Sequence, residues 1–168
     1  MKKLGLLTLV CFVSVIATAQ SLRAFDVKAS YGSETERFGI GAGMTLGVIG
    51  DLELSPSFNY YFEKDHTTLF DVDADFHYNF RVAKSLILYP LVGATYYNLR
   101  YEYAEMKEIQ GKFGANVGGG IGIYLMKELL LKAEVKYQIL DKPDEDVNKL
   151  LFDYKNQVKA SVGLAYVF

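Results

Sequence analysis

Asp71, Asp73 and Asp75 occur at every second position of the run DVDADFH. Three carboxylates so spaced could serve a calcium loop, or they could line one face of a strand. A calcium loop needs a glycine directly after the third acid and a glutamate at its closing position; those places hold Phe76 and Val82. In a strand, alternate side chains stand roughly 6.6 Å apart, too far for three carboxylates to converge on an ion whose ligands lie at about 2.3–2.6 Å. No metal is expected there, and no cofactor elsewhere. GIGAG (39–43) and GGGIG (118–122) have the glycine density of phosphate loops, but neither fits the full spacing or opens a helix. Nucleophilic catalysis needs a nucleophile beside a base. The two histidines offer little: His66 lies among Asp65, Thr67 and Thr68 with no serine beside it, and His77 ends the acidic run. The chain is not expected to be an enzyme. Charge pairing is the chemistry left to the aspartates.

The elements that position them are strands. Phe70, Val72, Ala74, Phe76, Tyr78 and Phe80 alternate with Asp71, Asp73, Asp75, His77, Asn79 and Arg81, the period of two that marks a sheet with unlike faces. Leu129 to Ile139 alternate in the same way with Lys132, Glu134, Lys136 and Gln138, and Val158 to Phe168 alternate with Gln157, Lys159, Ser161 and Gly163. Further strands are expected at about 22–32, 37–48, 51–62, 86–103 and 111–125, eight in all. Pro56 and Pro90 fall inside two of them, so bulges or bends are expected there. The connections alternate in length. Those near Gly47–Gly50, Ala83–Ser85 and Met126–Glu128 are short, while Glu63–Thr67, Ala104–Gln110 and Asp141–Asp153 are longer and charged.

The first 19 residues read as a signal peptide: two lysines, an apolar run from Leu4 to Ile16, then Ala17-Thr18-Ala19. Residues 20–168 form the single domain, and its length suits one core. The one cysteine, Cys11, lies in the leader, so the mature chain has no thiol chemistry. Loss of Lys2 and Lys3 with the leader takes the net charge from −2 to −4, against nucleic-acid binding. Thirteen tyrosines, 11 phenylalanines and 15 glycines with 3 prolines suit strands and tight turns.

Which face looks outward follows from volume. The apolar face carries Phe25, Tyr31, Phe58, Tyr60, Phe62, Phe76, Tyr97 and Phe168, while the polar face carries Gly39, Gly41, Gly43, Gly114, Gly118, Gly120 and Gly122. An eight-stranded barrel has room inside only for side chains to fill it, so bulk belongs outside, against lipid. Aromatics near the strand ends, among them Phe80, Tyr89, Tyr166 and Phe168 at one rim, suit interfacial girdles.

This pattern resembles the small outer-membrane β-barrel proteins of the OmpA-barrel and OmpX type. The segment LILYPLVGATYYNL with the Gly-rich strand after it is similar to porin-like barrel domains of Bacteroidetes. The resemblance implies an all-β, eight-stranded antiparallel up-and-down barrel integral to the outer membrane of a Gram-negative bacterium, expected to be a monomer. It also implies delivery by the barrel assembly machinery, which reads the last strand and its Tyr166 and Phe168. It implies no activity.

Within the lumen, Asp71, Asp73 and Asp75 are expected to pair with Lys132, Lys136 and Lys159, or with Arg81 and Arg100, with Glu134 in the same network. The network would fill and stabilise a closed barrel with a structural or surface-interaction role. A narrow or gated pore is the alternative, then a lipid-modifying enzyme, then a soluble periplasmic binding barrel. A surface partner could meet the outer loops, including DKPDEDVNKLLFD.

Overall fold

A computed structural model describes the backbone of residues 21–64, 67–103, 106–140 and 156–168. The leader, His66 and the DKPDEDVNKLLFD segment lie outside the described residues. The strands are β1 (Ser21–Gly32), β2 (Arg37–Ile49), β3 (Leu52–Lys64), β4 (Thr67–Tyr78), β5 (Phe80–Ala83), β6 (Leu86–Tyr103), β7 (Met106–Tyr124), β8 (Leu129–Leu140) and β9 (Gln157–Val167). Each pairs antiparallel with its neighbours in sequence, except that β4 and β5 both pair with β6. β1 pairs with β9, from Ala24↔Val167 to Gly32↔Lys159, and this closes the ring. The result is an eight-stranded barrel in which β4 and β5 are two pieces of one strand.

Pro90 explains the break. His77↔Leu91 before the gap and Phe80↔Leu88 after it keep one register, but Pro90 has no N–H to offer the strand opposite. Asn79 turns the other way and donates its N–H to Asp51 O at 3.0 Å. At Pro56 the ladder to β4 runs on through Pro56↔Ala74, while the ladder to β2 lapses between Gly43↔Ser57 and Leu46↔Leu54. Neither proline shifts the register, so the expected bulges are absent. The shifts fall instead near Arg23, Gly47–Ile49, Tyr61–Lys64 and Arg81–Ala83. Gly50, at φ +57°, supplies the left-handed residue of the tight β2–β3 turn.

Ala104–Gln110 is not a loop throughout. Residues 106–110 are strand, and Tyr103 pairs with Met106 across a two-residue connection. At 18 and 19 residues, β6 and β7 are the longest of the described strands, and β4 accompanies β6 as far as Thr67↔Tyr101. Their hairpin lies at the end opposite the short turns.

The outer surface is an apolar belt. Val27, Phe38, Ile40, Val92, Phe113, Val135 and Val162 are all exposed. Aromatic pairs mark its edges: Tyr31 with Phe38 at 4.9 Å toward one end, Tyr78 with Phe80 at 4.9 Å and Phe25 with Phe168 at 5.8 Å toward the other. An exposed apolar surface of this continuity belongs in lipid.

β6 corrects the sequence reading. Tyr97 and Tyr89 are buried inside the lumen, at 2% and 4% exposure, and Arg100 is exposed on the outer face. The interior accepts these rings because glycines stand against them. A Cβ at Gly120 would collide with the Tyr89 ring, and one at Gly39 would press on Tyr61. Gly120→Ala should therefore lower unfolding free energy by about 1–3 kcal/mol, as overpacking does, and Tyr89→Leu in the same chain should relieve part of that loss. Urea titration of both variants checks it.

Candidate functional site

The alternation of β4 turns Asp71, Asp73 and Asp75 inward, and strands across the lumen supply their cationic partners. Lys159, from β9 on the opposite wall, reaches Asp71 Oδ2 at 2.7 Å and Asp73 Oδ2 at 3.0 Å. Lys136 of β8 reaches Asp73 Oδ2 at 2.7 Å and Asp75 Oδ2 at 2.6 Å. Three carboxylates thus share two ammonium groups, and neutral donors supply the rest. Asn59 donates to Asp71 at 2.6 Å, the Tyr61 hydroxyl donates to Asp71 at 2.8 Å, and Asn116 donates to Asp75 at 2.7 Å and Asp73 at 3.1 Å. Gln157 donates to the Tyr97 hydroxyl at 3.0 Å and to Gln138 Oε1 at 2.8 Å. Asp71 and Asp73 are fully buried. Toward the hairpin end the network is overlaid by Tyr61, Leu69, Tyr97, Leu99 and Leu140.

A second layer lies nearer the short turns. The Tyr89 hydroxyl donates to Glu134 at 2.9 Å, and Lys132 pairs with the same carboxylate at 3.4 Å. Lys28 donates to Ser57 Oγ at 3.0 Å. Asp26 Oδ1 is buried without a hydrogen-bond partner beside a void of about 10 Å³ that Asp26, Lys28, Lys132, Glu134 and Ser161 help to line. A void of that size and polarity suits one water molecule.

At the short-turn mouth the bore widens into a recess of about 140 Å³. Arg23 pairs there with Glu53 at 2.8 Å and donates to Gly50 O at 2.8 Å. His77 stacks on Tyr89 with centroids 4.8 Å apart.

Of the residues expected to pair with the aspartates, Lys136 and Lys159 touch them. Lys132 turns to Glu134, Arg81 stands at the mouth, and Arg100 faces outward. Asn59, Tyr61, Gln138 and Gln157 join the network without having been singled out. Asn59 and Tyr61 continue the inward face of Glu53, Ser55 and Ser57, and that alternation could have found them.

The comparisons agree with this architecture. Residues 5–168 match the outer membrane protein beta-barrel domain family. No curated protein matches. Among solved structures, the N-terminal β-barrel domain of Pseudomonas aeruginosa OprF is similar at 21% identity and TM-score 0.60, covering 89% of this chain and 100% of that one. Neisserial surface protein A is similar at 16% identity and TM-score 0.67, covering 88% of this chain and 96% of that one. Ail, the attachment invasion locus protein of Yersinia pestis, is similar at 16% identity and TM-score 0.60, covering 88% and 97%. The chain belongs to the outer membrane protein beta-barrel domain family and is an integral protein of the outer membrane.

Proposed function

We propose that this barrel is a sealed membrane anchor with a structural or surface-interaction role, carried by what it presents at the hairpin end. One observation supports this above the others. Lys159 bridges from β9 to Asp71 and Asp73 on the opposite wall, and all three are at most 1% exposed. An eight-stranded bore filled at mid-height by such a network leaves no path for solute. The long β6–β7 hairpin offers the surface for contact, and two similar structures are those of a neisserial surface protein and of an attachment invasion locus protein. No reaction is assigned: His77 is 2% exposed and stacked on Tyr89 within the lumen. In the same reading the barrel is a monomer in lipid, and the outward Tyr166 and Phe168 at its last strand serve the assembly machinery.

The test is conductance in a planar bilayer, with folding established by heat-modifiable migration. A silent bilayer is expected. Discrete steps that shift when Asp71, Asp73 and Asp75 are changed to asparagine would overturn the sealed reading and make the lumen an ion path.

A further inference from the structure

The recess at the short-turn mouth is a polar space of about 140 Å³ in the lumen, and the scaffold reading leaves it unused. Its lining carries three cations, Arg23, Arg81 and Lys132, against two carboxylates, Asp51 and Glu53. These groups are not equally committed. Arg23 and Glu53 hold each other at 2.8 Å. Lys132 stands 3.4 Å from Glu134, a carboxylate that already receives the Tyr89 hydroxyl, so an ammonium with three donors has donors to spare. Arg81 makes no ion pair among the described residues, although its five donors can grip an oxyanion through two parallel hydrogen bonds. Asp51, at the lip, disfavours a ligand of high negative charge.

We propose that the recess binds a small oxyanion of low charge, a carboxylate or a phosphate, held by Arg81 with Lys132 beneath it. The volume of about 140 Å³, about ten times the void that one water needs, admits a ligand of a few heavy atoms. The wall is pre-formed: Arg23 is fixed at two points, and His77 and Tyr89 are stacked. The site opens at the end of the short turns, which in outer-membrane barrels is the periplasmic side. The lumen network lies beyond it. This site goes beyond the scaffold role and stands whether or not the bore conducts.

The experiment is isothermal titration of the folded barrel in detergent with sodium acetate and, separately, with inorganic phosphate, at constant ionic strength. Saturable one-to-one binding of either probe is expected, and the probe that binds tells a carboxylate site from a phosphate site. Arg81→Gln should weaken it about tenfold, the effect of losing a charge-assisted hydrogen bond. Arg100→Gln, on the outer face, should leave it unchanged. Arg81 lies at the exposed rim, and migration of the unheated protein verifies that each variant folds. Absence of saturable binding for both probes, or binding equally strong in Arg81→Gln, would overturn the site.

Discussion

Lys159→Ala lowers the unfolding free energy of the barrel by about 3–5 kcal/mol, the usual cost of breaking a buried ion pair from one side. The ammonium lies 2.7 Å from Asp71 and 3.0 Å from Asp73, and all three residues are buried. Its removal leaves Lys136 as the remaining ammonium against three carboxylates, and Asp71 keeps only the amide of Asn59 and the hydroxyl of Tyr61. Urea titration in detergent micelles reads the loss. Adding Asp71→Asn to Lys159→Ala should recover part of it, because the stranded charge goes with its partner. A single-variant loss below about 1 kcal/mol, in the range of surface pairs, would show that water reaches the network.

Val135→Arg should cost about 2–4 kcal/mol in a bilayer, the depth-dependent penalty for a cation on the lipid face of a barrel. Val135 sits at the middle of β8, is 57% exposed, and pairs with Gly119 and Ala160. The same substitution at the lip of the barrel should cost less, because the side chain can reach the interface. Refolding into vesicles of defined thickness measures both. Equal costs at the two depths would place the belt elsewhere than in the hydrocarbon.

The two histories of β4 and β6 show what the sequence could and could not convey. On β4, β8 and β9 the lumen face is polar and the lipid face apolar, so period two alone turns Asp71, Asp73, Lys136 and Lys159 inward. On β6 that contrast is lost. Ile87, Tyr89, Leu91, Tyr97 and Leu99 all point into the barrel, where they pack in two apolar clusters on either side of the charged network. Tyr96 and Tyr97 then look alike, and Arg100 is assigned to the wrong face. Register resolves it: Asp75 pairs with Gly93, Asp73 with Thr95 and Asp71 with Tyr97, and directly opposed residues share a face. Small Gly93 and Thr95 at odd positions were the signal in the chain itself. The choice of Lys136 and Lys159 over Lys132, Arg81 and Arg100 depends on height along the axis, which alternation does not encode.

The bridge from β9 to β4 also bears on the order of events as the barrel forms. Lys159 is 88 residues from Asp71 in sequence, and the two meet only after the sheet has curled shut through the β1–β9 seam. Until that moment each charge keeps its own hydration shell, and nothing in a half-built sheet rewards their approach. Contacts absent from the transition state alter escape from the native state rather than arrival at it. The lumen network therefore acts as a latch: weakening it should leave the folding rate nearly unchanged and show itself in faster unfolding.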